Sequence, residues 1–149
     1  MVKPLRFGTA RGSGPVSAAF GEITRFIERR IEDIDNQAGH AIFVATNVGK
    51  DAMKRIIETS ITPTGEDRAA RGGHPGRIDS GNMLDQVRHD IHVRGDFPED
   101  RAHIGEWGWL DGHEKYFEIQ EDGWGSIKAM NAIRQSYIEA REALIKEMK

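Results

Sequence analysis

Residues 17–59 read SAAFGEITRFIERRIEDIDNQAGHAIFVATNVGKDAMKRIIET, and their periodicity decides the fold. Phe20, Ile23, Ile27, Ile31, Ile34, Ala38, Ala41, Ala45, Val48, Ala52 and Ile56 recur at steps of three and four. Such steps place one apolar stripe along one face of a helix. Other faces carry Glu22, Arg25, Glu28, Arg29, Glu32 and Asp33, a charged surface with pairs at helical spacing. Gly39 and Gly49 each weaken a helix interior by roughly 1 kcal/mol, so a bend or break is expected near one of them. Thr62-Pro63-Thr64-Gly65 cannot continue the helix, which should end near Thr59. Forty helical residues span about 60 Å, more than a compact domain of this size accommodates. The expectation is a mixture of two remedies: folding back at a glycine, and packing part of the stripe on another subunit.

Outward from this segment the chain changes character. Residues 1–16, with Gly8, Gly12, Ser13, Gly14 and Pro15 among Lys3, Arg6 and Arg11, read as a flexible basic arm. The arm is either a loose terminus or a segment that orders against a neighbouring subunit. Residues 17–149 read as a single α+β domain interrupted by a long Arg/Gly-rich loop at 62–79. Ser80 can cap a short helix running through Gly81-Asn82-Met83-Leu84, with Asp85 in its first turn. Val87, His89, Ile91 and Val93 then alternate with Arg88, Asp90, His92 and Arg94, the period of a strand with one covered face. Gly95-Asp96-Phe97-Pro98 makes a turn, and a second strand is expected over about 101–109, forming an antiparallel hairpin. Lys115–Gln120 fits a third short strand or a helical turn equally well. Ile127, Met130, Ile133, Tyr137, Ala140, Leu144 and Met148 mark a closing amphipathic helix. The fold expected is α+β: a long N-terminal helix, a small antiparallel sheet of about three or four strands and a C-terminal amphipathic helix.

Composition narrows function mainly by exclusion. The 149 residues carry 24 acidic and 21 basic side chains, a net charge of −3 that argues against wholesale wrapping by nucleic acid. The chain has no cysteine, which removes disulfides and thiolate zinc sites. The residues from Met1 to Phe7 lack the apolar run of a signal peptide, and no segment approaches a membrane span.

Chemistry-bearing motifs are few. His89 and His92 point to opposite faces of a strand and cannot share one metal without a bulge; His74, His103 and His113 lie elsewhere. Asp111, His113, Glu114 and Glu118 form a polar cluster that a nuclease reading would join to Arg68, Arg71 and Arg77. No recognisable metal–carboxylate arrangement, G-x-S-x-G elbow or P-loop lysine supports catalysis. No catalytic, cofactor-binding or metal-ligating residue is therefore assigned, and no cofactor is expected. Trp107, Trp109 and Trp124 lie among Gly105, Gly108, Gly112, Gly123 and Gly125. That patch is either the packing of a small sheet or an inter-subunit contact, where tryptophan is enriched. Arg68, Arg71, Arg77, Trp107, Trp109 and Trp124 are the candidate inter-subunit contacts.

The order of elements also carries a resemblance. Asp79-Ser80-Gly81-Asn82-Met83-Leu84 follows the long helix, then the strand around Val87 to Val93 and Ile104-Gly105. Tyr116-Phe117-Glu118-Ile119-Gln120-Glu121-Asp122-Gly123 and the helix from Ile127 come next. Over about residues 40–149 this pattern resembles the neck or tail-completion proteins of long-tailed phages. The chain departs from that pattern in its arm, its Arg/Gly-rich loop, its tryptophans, and in Gly125-Ser126-Ile127-Lys128, where the family has an apolar residue and proline. The resemblance implies a virion protein without catalysis, ring-forming at the head–tail junction and assembled in the host cytoplasm. Its partners would be its own copies and the neighbouring head-closure, connector and tail proteins, with DNA passing through the channel and no membrane. The alternatives are a tail terminator or head-closure subunit, or a small metal-dependent nuclease relying on Asp111 or His113.

Overall fold

The computed structural model describes residues 15–60, 66, 70–72, 82–112, 115–125 and 127–149. In chain order these form α1 (Pro15–Thr59), α2 (Asn82–Asp85), β1 (Arg88–Arg94), β2 (Ala102–Gly108), α3 (Lys115–Asp122) and α4 (Ala132–Glu147). The α+β class and the two framing helices are as expected. The sheet is smaller: among the described residues it is one antiparallel pair, β1–β2, in place of three or four strands. Lys115–Asp122 is helical, and its Phe117 is fully buried. The arm lies outside the described residues up to Gly14, as does the 62–79 loop apart from Glu66 and residues 70–72.

α1 runs through both glycines without a break, contrary to the expected interruption. The reason is steric. A Cβ at Gly39 would lie 2.9 Å from Cε1 of His103, and one at Gly49 2.4 Å from Cε2 of Trp107. Between them the notch reverses, because a Cβ at Gly105 would meet the Thr46 hydroxyl oxygen. The glycines in α1 are seats for β2 side chains, and the loss in helix propensity is offset by that close approach. His103, Gly105 and Trp107 alternate along β2, so one face of the hairpin lies on α1. β1 is the outer strand, which leaves His89 and Val93 exposed although their period marked a covered face.

α1 and α4 share the most extensive contact between elements. Gln37 donates to the Glu147 carbonyl and Arg55 pairs with Glu139, which sets the two helices antiparallel. Ala41, Ala45 and Ala52 are buried on α1, and Ala132, Ser136 and Ala140 on α4. Small side chains on both helices allow a short interaxial distance. The stripe expected from Ile127 to Met148 is buried only in part: Met130 and Ala140 are buried and Leu144 half-buried, whereas Ile133, Tyr137 and Met148 are exposed, and Ile127 precedes the helix in a bridge with Trp124.

The register of α4 is set at its first turn. Asn131 adopts a left-handed conformation and makes no side-chain cap. Instead the buried Glu121 carboxylate accepts the Ala132 and Ile133 amides, each at 2.8 Å. Charge-assisted bonds to two otherwise unpaired amides are a strong anchor for a helix N-terminus. Below it Met53, Ile56, Ile57, Met83, Val87, Phe117, Met130 and Ala132 make the core. Burial of each large member stabilises the fold by about 2 kcal/mol.

Candidate functional site

The stripe of α1 divides into two halves. From Ala41 to Ile56 it is covered by α4 and the hairpin. Toward the N-terminus the same face is bare: Phe20 is 60% exposed, Ile23 55% and Ile34 59%, with Ile27 and Ile31 about two-fifths exposed. Phe26, beside the stripe, is 65% exposed. The covered half is built mainly of alanine and the bare half of phenylalanine and isoleucine, residues whose exposure is hardest to sustain in water. The division falls where Gln37 of α1 donates to the Glu147 carbonyl of α4.

At the junction of the two halves sits a cleft of about 450 Å³, lined by Ile31, Ile34, Ala38, Phe97, Leu144 and Met148 among others. Its polar wall is a three-residue network. Arg101 Nη1 donates to Asp35 Oδ2 at 3.0 Å, and His103 Nε2 lies 2.9 Å from Asp35 Oδ1. The hydrogen bond to His103, reinforced by Arg101, holds the Asp35 carboxyl below its ordinary value of 3.8 against the opposing effect of burial. The Arg101 guanidinium also lies 5.2 Å from the centre of the Phe97 ring. The network thus ties the hairpin turn to α1 where the helix leaves the body.

The tryptophans separate into two kinds. Trp107 is partly buried and its indole N–H donates to the Ser136 hydroxyl at 2.9 Å. Trp109 donates to the Met83 carbonyl at 2.9 Å and packs with its ring centre 5.0 Å from that of Phe117. Trp124 is 74% exposed, in a turn whose flanking Gly123 and Gly125 have φ of 78° and 59°. Only Trp124 of the three presents most of its surface outward. Arg71 is exposed, and Arg68 and Arg77 lie outside the described residues.

Asp111 and Glu118 are exposed, while His113 and Glu114 lie outside the described residues. The strand register puts His89 and His92 on opposite faces. On the outward face Asp90 stands directly across from Glu106, and their carboxylates and a ring nitrogen of His92 fall within 4.8 Å of one another. The two carboxylate residues are exposed, and Nδ1 of the half-buried His92 lies 3.5 Å from Asp90 Oδ2.

Part of the stripe was expected to pack on another subunit, but neither which part stays bare nor the cleft was singled out from the sequence. The signal available was the change from large to small residues along it at Ala38. Asp35, Arg101 and His103 gave no local signal, being 66 and 68 residues apart in the chain. Searches of protein families, curated proteins and solved structures find no match to this chain.

Proposed function

We propose that this chain is a structural virion subunit of the phage head–tail junction, a neck or tail-completion protein that acts as a homo-oligomeric ring and catalyses no reaction. The observation that carries the reading is the apolar stripe covered from Ala41 to Ile56 and bare from Phe20 to Ile34. A subunit that completes its burial only on assembly has such a surface, and a self-contained monomer rarely exposes one. The element order (long helix, hairpin, short helix, closing helix) agrees with the resemblance carried by Asp79–Leu84 and Tyr116–Gly123. Among the described residues no helix is long and apolar enough to cross a membrane.

In this reading the bare half of α1 contacts copies within the ring. Trp124 and the loop bearing Arg68, Arg71 and Arg77 meet the neighbouring head-closure, connector or tail proteins. Deleting the gene and imaging the lysate tests the assignment. The expected result is DNA-filled heads and separate tails that fail to join. Tails of abnormal length would replace the reading by that of a tail terminator, and intact infectious particles would overturn it.

A further inference from the structure

We propose that the outward face of the hairpin is a divalent transition-metal site, with Asp90, His92 and Glu106 as its ligands and zinc as the ion it takes. None of the three lies on α1 or lines the cleft, so the site does not depend on the ring reading.

Strand geometry brings the ligands together. Asp90 and His92 are two residues apart on β1 and therefore share a face. Glu106 of β2 is the direct partner of Asp90 and the diagonal neighbour of His92, whose own partner is Ile104. Direct partners hold their Cβ atoms about 5 Å apart, and diagonal ones fall within reach of long side chains. One oxygen of each carboxylate and a ring nitrogen of His92 accordingly lie within 4.8 Å of one another. The 3.5 Å between His92 Nδ1 and Asp90 Oδ2 is too long for a good hydrogen bond. It matches the edge of a zinc tetrahedron, which is about 3.4 Å when the ligands stand about 2.1 Å from the ion.

Three features call for a cation there. Two carboxylates face each other directly across the strands, which is destabilising when both are charged. Among the described residues no lysine or arginine pairs with either, and Arg88 on the same face donates to the Asp85 carbonyl instead. Next, His92 Nδ1 is shielded from solvent and lacks a hydrogen-bond partner, the one buried side-chain polar atom so placed among the described residues. Nearly all buried polar atoms in native proteins are paired, and the lone pair of a neutral imidazole is the commonest metal ligand. Finally, Asp90 is oriented in advance. Its Oδ1 accepts the Ile91 amide at 2.9 Å, which leaves Oδ2 beside His92. Such a bond behind a ligating carboxylate is the usual outer support of a metal site.

The donor set selects the ion. Two carboxylates balance a doubly charged cation, and the imidazole favours zinc and its transition-metal neighbours over magnesium and calcium, which take oxygen ligands. Both carboxylate residues are exposed, so water completes the coordination. The ion ties β1 to β2, and a two-stranded sheet is marginally stable without support.

Calorimetric titration of zinc into the chelator-treated full chain should show one ion per chain. Asp90→Asn, His92→Gln and Glu106→Gln should each weaken binding at least about tenfold, the least that loss of outer support alone costs. His89→Gln, on the opposite face of the same strand, should leave binding unchanged. In the wild-type chain zinc should shift the nitrogen NMR signal of His92 Nδ1 and slow hydrogen exchange in β1 and β2, readouts that need no variant. A chain that binds no zinc, zinc retained in Asp90→Asn and Glu106→Gln or lost in His89→Gln, or magnesium bound as tightly as zinc would overturn the proposal.

Discussion

Trp107 seats its indole against Gly49, so closely that a Cβ there would lie 2.4 Å from Cε2 of the ring. From the other side Ser136 accepts the indole N–H, so one side chain clamps α1, β2 and α4 together. A helix-weakening residue in α1 is thereby a condition for the packing of the whole domain.

Gly49→Ala should therefore destabilise the protein, by about 1–3 kcal/mol once the gain in helix propensity is offset by overpacking. Gly21→Ala is the internal control: nothing lies within 4 Å of its Cβ position. It should stabilise the chain by up to about 1 kcal/mol. Urea unfolding of both variants checks the pair, and equal effects would show that the indole yields freely.

Glu121 offers a second test. Removing its carboxylate with Glu121→Ala leaves the Ala132 and Ile133 amides without their acceptor and should cost about 2–4 kcal/mol. Glu121→Gln retains an acceptor and should cost about 1 kcal/mol. Hydrogen exchange at the first turn of α4 would locate the loss, and unchanged protection there in the alanine variant would contradict the capping role.

The tryptophans should differ in kind. Trp109→Ala removes a ring from the core margin and should destabilise the monomer by about 3–5 kcal/mol. Trp124→Ala, at a position 74% exposed, should change monomer stability by under about 0.5 kcal/mol. Thermal unfolding separates them, and equal losses of stability in the two variants would contradict the division.

Acid should act through Asp35. Its carboxyl is held below 3.8 by His103 and Arg101, so the folded state binds its proton less tightly than the unfolded chain does. The stability it contributes is present above about pH 4 and is lost as the pH falls through the lowered folded-state value. Asp35→Asn should therefore lower stability at neutral pH, with the difference from wild type shrinking below about pH 4. A difference that grew on acidification would reverse the assignment.

Much of the fold was legible because periodicity is local. Steps of three and four from Phe20 to Ile56 marked α1 to its end at Thr59, and alternation around Ile91 and Ile104 marked the two strands. Lys115–Gln120 was ambiguous because so short a segment fits either period, and burial of Phe117 in the core accompanies the helical choice. The candidate site was less legible. Its apolar members were visible as a stripe, yet whether a stripe is covered depends on where another element stops.

From the chain alone came the long helix, the closing helix and the hairpin, since each rests on neighbours within a few residues. Tertiary structure decided three further matters. It made Gly39 and Gly49 seats for His103 and Trp107 rather than breaks, because distant side chains filled the space. It turned α4 onto Ala132, Ser136 and Ala140, because close packing against the small residues of α1 outweighed burial of Ile133 and Tyr137. And it left Phe20 to Ile34 bare, because α4 and the hairpin pack against the half of α1 from Ala41 to Ile56.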